Sequence, residues 1–288
     1  MKRLMLAGFI LLAAMGLWAC RGKGKGMSIS SETSPTKPAI VLVAFGTSKM
    51  EARAVYDHIF EQARKRFPGY EIRWAWTSRI ILKKLQAQGL AVYSPDETLE
   101  QLRKDGYRQV VMQSFHVMPG AEYEEMVTAG KGASGLSIQY GAPLLADAAD
   151  IQKAIRAVEP SLRQDRVNVF VGHGNPDKQA NAKLVEFTEA VEKGRSNAFV
   201  FAVEGEPFLN RLPEVRVKAR ELGGVHFVPM MVVAGEHIME DVMGEGAESW
   251  RSQIGVADAT CAQPLGANDA ILDIYFDHTE AALKVFEK

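Results

Sequence analysis

The chain has 288 residues, with 34 Lys and Arg against 35 Asp and Glu, a formal net charge of −1 and two cysteines. Balanced charge without a basic stripe argues against a nucleic-acid partner. Two cysteines exclude a disulfide framework or a thiolate metal cluster, so any metal site must be built from histidines and carboxylates.

Residues 1–20, MKRLMLAGFILLAAMGLWAC, open with Lys2 and Arg3 and continue as an apolar run over 4–19. That run is short for a membrane span and suits a secretory signal. Leu17-Trp18-Ala19-Cys20 resembles a lipobox, whose cysteine is lipidated after cleavage, although Trp18 replaces the usual small residue. A soluble exported product and an uncleaved anchor helix are the alternatives. Residues 21–38 have the Gly, Ser, Lys, Thr and Pro content of a linker. The expectation is a periplasmic protein without a stable membrane span in its mature form, with a lipid anchor at Cys20 left open.

Beyond the linker, apolar runs alternate with amphipathic ones. Strands are expected at 40–45, 71–76 and 109–117, and helices at 50–66, 78–88 and 95–106. The order then repeats, with strands at 167–172, 198–203 and 225–234, and helices at 177–193, around 207–222, at 238–250 and at 268–286. Alternating strands and helices predict parallel sheets covered on both faces. The expected fold is α/β, two similar domains (39–160 and 161–288), each a parallel sheet flanked by helices, with a cleft between them.

The two halves align at three strand ends. "AIVLVAFGTS" matches "RVNVFVGHGNP", making Phe45 equivalent to His173. "WAWTS" matches "FAVEG", placing Glu204 opposite Thr77, and "HVMPGAEYEEM" matches "MVVAGEHIMED", placing His237 opposite Glu122. Ligands of open parallel sheets bind beyond the carboxyl ends of the strands. His173, Glu204 and His237 all fall there, each near glycine. Two imidazoles and one carboxylate suit a borderline divalent ion such as Co²⁺, Ni²⁺, Fe²⁺ or Zn²⁺. Each residue also has a structural reading: His173 as a turn residue, Glu204 as a helix cap, His237 as a helix-start histidine bonded to Asp241. His58 and His278 fall in amphipathic helices and are expected at the surface, and His226 in the core. His116 ends a first-half strand beside the same cleft, and could pack, contact substrate, or ligate a second metal or haem.

Taken together, "AFGTS", "AWTSRIILKKL", "QSFHVMPGAEYEEM", "VGHGNP", "AVEGEP" and "MMVVAGEHIMEDVMGEGAESW" resemble the anaerobic-type sirohydrochlorin cobaltochelatases, of the superfamily that includes ferrochelatase. The likeness runs from about Ala39 to the C-terminus. It implies two α/β domains around a tetrapyrrole cleft. It also implies insertion of Co²⁺, with Fe²⁺ and Ni²⁺ as alternatives, into sirohydrochlorin or a related tetrapyrrole. His173 would be metal ligand and base for pyrrole protons, with Glu204 the acidic residue and His237 the second imidazole. His116 matches the histidine that the family keeps on the cleft side. The export signal departs from family members that act in cobalamin synthesis in the cytoplasm.

A ring with carboxylates at its rim needs cations. Arg53, Arg79, Lys83 and Lys84 follow first-half strand ends, with Arg79 best placed. Thr47, Ser48, Thr77, Ser78 and Glu122 are further substrate-contact candidates. The glycines at 244 and 246 flank an acid and argue against a phosphate loop. Two other readings compete with the exported chelatase. One is a periplasmic haem, tetrapyrrole or metal carrier, with His116 on haem iron. The other is the binding protein of a metal or haem importer. A homo-oligomer is compatible with the sequence.

Overall fold

The computed structural model describes residues 35–288, apart from 177–178 and 206–210. The expected signal, lipobox and most of the linker lie outside the described residues. So does the start of the helix expected around 207–222. Among the described residues no helix is long and apolar enough to cross a membrane.

The first half runs β1 (Ala39–Ala44), α1 (Met50–Arg66), β2 (Ile72–Trp76), α2 (Arg79–Ala87), α3 (Pro95–Lys104), β3 (Gln109–Ser114), α4 (Ala121–Gly132), β4 (Ser137–Gly141) and α5 (Ala148–Val158). The second runs β5 (Val167–Gly174), α6 (Ala182–Glu192), β6 (Ala198–Glu204), α7 (Leu212–Leu222), β7 (Val225–Pro229), a π-helical turn (His237–Val242), α8 (Trp250–Ile254), β8 (Ala259–Cys261) and α9 (Asp269–Leu283). Each half forms a four-stranded parallel sheet of the same order, β2-β1-β3-β4 and β6-β5-β7-β8. In both, the chain reverses its direction of travel across the sheet beside the first strand. That switch opens a crevice at the carboxyl ends of β1 and β3, and of β5 and β7.

Sequence chemistry explains these elements. β1 is a fully buried apolar run and β5 is buried from Val167 to Gly172, with Asn168 as its one polar residue there, as strands covered on both faces must be. Ser94 and Glu97 form a reciprocal capping box that starts α3, and Asp147 and Asn268 cap α5 and α9. Pro229 is the last residue of β7, so the strand expected over 225–234 ends there, and residues 230–233 form part of the cleft wall instead. The helix expected over 238–250 is two pieces separated by the Gly244–Gly246 segment. A Cβ on Gly244 would collide with the Glu240 carbonyl, and Ser249 caps a fresh start at α8.

The duplication persists at the level of single hydrogen bonds. Phe115 N–H donates to Val43 O at 2.7 Å and Met230 N–H to Val171 O at 2.8 Å. Leu144 N–H donates to His116 O, and Leu265 N–H to Met231 O. These pairs uphold the equivalences of Phe45 with His173 and of Glu122 with His237. The middle alignment needs correcting by one residue. Ala44 pairs with Trp76 while Gly172 pairs with Ala202, so Glu204 corresponds to Ser78 rather than Thr77.

The boundary at 160/161 separates the sheets but not the packing. α5 lies against α6 of the second half, while α9 lies across β3 and β4 of the first. One hydrophobic cluster contains Ile40 and Leu42, Phe170 and Leu184, and Leu272 and Tyr275. On α9, Tyr275 stacks on Phe115 at 4.5 Å, Phe276 meets Phe67 at 5.7 Å, and Thr279 donates to the buried Gln113 side chain. His278, expected at the surface, turns inward and bonds Ala142 O at 3.0 Å and the buried Asp150 carboxylate at 2.9 Å. This helix has two buried faces, which a single amphipathic stripe does not reveal. His58 is partly exposed beside Asp269. His226 is buried and bonded to Thr260, as a core histidine.

Candidate active site in the interlobe cleft

The cleft between the two sheets has a volume of about 590 Å³. This is within the range of small-molecule sites. Thr47, Ser48, His116, Glu122, His173, Glu204 and His237 all line it.

His173 sits at the end of β5 between two glycines. Gly174 has φ 76°, and a side chain there would run into the Glu204 carbonyl on β6. Glycine therefore lets β5 and β6 close up while the intervening histidine stands exposed. The His173 Nδ1 lies 3.1 Å from Gly174 O. A carbonyl only accepts, so Nδ1 carries the proton and Nε2 keeps its lone pair. His237 opens the π turn, and its Nδ1 lies 2.7 Å from the Asp241 carboxylate. That contact again leaves Nε2 free, in the arrangement by which carboxylates orient metal-binding histidines.

The two imidazoles have centres 5.0 Å apart at 81°. With a metal–nitrogen bond of about 2.0–2.1 Å, a ligating ring has its centre about 3.2 Å from the ion, so two rings at a near-tetrahedral angle stand about 5 Å apart. The spacing fits a shared ion. Glu204 lines the same cleft, but no three His, Cys, Asp or Glu side chains among the described residues are arranged to hold a metal ion together. The expected triad is thus a histidine pair with a carboxylate nearby, not a preformed cage. Cys261 lies on β8 with its thiol pushed up to about 11 by burial, and is no thiolate donor.

His116 faces the pair from the other lobe. Its Nδ1 contacts Ser114 Oγ at 2.9 Å, and its carbonyl accepts from Tyr275 OH at 3.0 Å. Its Nε2 is shielded from solvent and has no hydrogen-bond partner. Burial pushes the ring's pKa down to about 4, so it is neutral near pH 7.

Thr77, Ser78 and Arg79 do not line the cleft. Thr77 is buried with its hydroxyl unpartnered, Ser78 caps α2 through the Ile81 amide, and Arg79 is exposed on α2. β2 ends at Trp76 and α2 starts at Arg79, so this connection is spent on starting a helix rather than on reaching the cleft. Arg53, Lys83 and Lys84 are likewise outside the lining. Among the described residues the cleft cation is Lys49, which the sequence did not single out, nor did it single out Phe45, Tyr56, Phe115 and Met230 as lining. Tyr56 accepts the Gly46 N–H at 3.3 Å and packs on Trp76, fixing the turn after β1. The aromatic neighbours in "AFGTS" and "WAW" were the available signal for this wall.

Two parallel α/β lobes, with a histidine-lined cleft at their strand ends, define a chelatase-type architecture. The solved structure of SirB from Bacillus subtilis with Fe3+ shares it, with a TM-score of 0.61 at 12% identity over 87% of this chain and 97% of that one. The model of the cobalt chelatase (CbiK) family matches residues 38–284, and the chain belongs to that family. It is 30% identical over 266 residues to the sirohydrochlorin cobaltochelatase CbiKC of Nitratidesulfovibrio vulgaris, covering 88% of this chain and 93% of the relative. It is 31% identical over 259 residues to the sirohydrochlorin cobaltochelatase of Salmonella typhimurium, covering 86% and 97%.

Proposed function

We propose that this chain is a metallochelatase that inserts Co²⁺ into sirohydrochlorin. The observation that carries the reading is the His173–His237 pair, with both Nδ1 atoms engaged and both Nε2 lone pairs free on the wall of a ring-sized cleft. The metal is a substrate here. Two imidazoles without a completed cage hold an ion loosely enough for stepwise exchange onto ring nitrogens. Insertion releases two pyrrole protons as the dication enters the free base. Once the ion has moved to the ring, the vacated lone pair of His173 Nε2 can accept one of them. Glu204, at the adjoining strand end, can relay the other to solvent. The same donors accept Fe²⁺ and Ni²⁺.

The test is an anaerobic spectrophotometric assay with the mature domain, sirohydrochlorin and Co²⁺. Free-base absorbance should disappear with wild type. It should persist with His173→Ala and His237→Ala, while both variants still bind the ring. Full turnover in both variants would end this mechanism.

A second reading rests on the unpartnered Nε2 of His116. In a haem or tetrapyrrole carrier on this fold, that atom would be the iron ligand. Tight haem binding lost in His116→Ala, without chelation by wild type, would favour the carrier. For location, the basic start, apolar run and lipobox-like Cys20 of residues 1–20 support export to the periplasm. Labelling of Cys20 with a radioactive lipid precursor would separate an anchored from a released form.

A further inference from the structure

The cleft is acidic where its proposed substrate is anionic. Glu122, Glu204 and Glu236 line it, and among the described residues Lys49 is the one Lys or Arg that does. Acidic walls draw in a divalent ion, but they repel a ring carrying carboxylates. Lys49 is already occupied. Its Nζ stands 3.5 Å from Glu240 Oε1, a contact that crosses the cleft mouth from the start of α1 to the π turn that carries His237. Both side chains are accessible, at 37% and 60% exposure. An ion pair this exposed adds little to stability and exchanges partners readily. No side chain caps the first turn of α1, where Lys49 is the N-cap residue, so the local field also favours a negative group.

We infer that Lys49 is a specificity-determining residue that exchanges Glu240 for a rim carboxylate of the incoming macrocycle. The inference rests on the proposed chelatase reading for the identity of the ring. Glu240 acts as a placeholder: it keeps the cation at the mouth of an empty cleft and competes with substrate for it. The exchange also couples the two ligands of the reaction, because releasing Glu240 frees the turn whose first residue is His237.

The pair makes opposite predictions for its two members, which a merely structural bridge would not. Binding of metal-free sirohydrochlorin is measured by absorbance titration, without metal, for wild type, Lys49→Met, Lys49→Arg and Glu240→Gln. A fully esterified ring serves as the uncharged control, and thermal melting confirms folding. Lys49→Met should weaken binding of the free acid about fivefold to tenfold. Lys49→Arg should restore most of it, and Glu240→Gln should tighten binding about twofold to threefold. The ester should bind all four proteins alike. Equal weakening by Lys49→Met and Glu240→Gln would show a structural latch and overturn the inference, as would unchanged affinity in Lys49→Met. A wild type that binds the ring with this pattern but inserts no metal would remove the chelatase activity and leave the role of Lys49 standing.

Discussion

Asp241 holds the His237 imidazole by a 2.7 Å contact to Nδ1 within a single π-helical turn. π turns recur at functional sites because the extra residue re-aims side chains at small cost. Here a residue four positions on fixes the tautomer that leaves Nε2 free. Asp241→Ala should therefore reduce Co²⁺ affinity and turnover by about 10–100-fold, while shifting stability by no more than about 1 kcal/mol, since the pair is exposed. Metal titration beside thermal melting checks both halves. A variant with wild-type cobalt affinity would show that the contact does not orient the ring.

Gly174 should not tolerate alanine. Its φ of 76° disfavours any side chain, and a Cβ would meet the Glu204 carbonyl and the Ala202 methyl. Relief requires β5 and β6 to part beside His173. Gly174→Ala is expected to cost about 2–4 kcal/mol, measured by urea unfolding, and to suppress chelation. Near-wild-type stability would mean that the strands separate more easily than their register implies.

His116 should make stability depend on pH. Its pKa is pushed down to about 4 by burial, from an ordinary value near 6.5. A depressed histidine pKa means that the unfolded chain binds a proton more readily than the native one. The contribution is thus intact above about pH 6.5 and is lost as pH falls towards 4, by at most about 2–3 kcal/mol. Melting curves of wild type and His116→Gln should converge as pH drops from 7 to 4.5. Parallel pH slopes would show that His116 is not the group responsible.

Thr279 on α9 donates to Gln113 Oε1 at 3.0 Å, and both residues are fully buried. Replacing Thr279 by the isosteric Val removes the donor and strands the amide oxygen. The expected cost is about 1–3 kcal/mol by chemical denaturation. A cost below about 0.5 kcal/mol would indicate that water or another group replaces the hydroxyl.

The strand ends were legible in sequence because they combine two independent signals. A buried strand such as residues 39–44 is an unbroken apolar run, residues 167–171 are apolar but for Asn168, and the glycines around His173 mark where that strand must turn. Comparing the halves then placed Phe45 with His173 and Glu122 with His237. At β2 the comparison slipped by one, because Ala75 in "WAW" matches Ala202 in "FAV" by residue type, whereas the sheets place Trp76 opposite Ala202. Thr77, Ser78 and Arg79 were expected in the cleft because they follow a strand end, but there the chain turns at once into α2. β4 was missed, since its half-exposed Ser137–Gly141 shows no clear apolar run. Lys49 was invisible for a different reason. Its proposed role rests on its being the one Lys or Arg of the cleft wall among the described residues, and only three-dimensional packing decides which side chains reach that wall.

The crossing of α5 and α9 bears on how a ring can enter. Two-lobed binding proteins grip their ligands by rotating about a slender connection. Here α9 is bolted across the opposite sheet through Phe276, Tyr275 and Thr279, and α5 braces α6, so separating the lobes would tear a shared core. The width of the gap between the sheets is accordingly tied to that packing. On the proposed reading, a macrocycle would enter a gap whose width this shared packing sets, past the rim pair of Lys49 and Glu240.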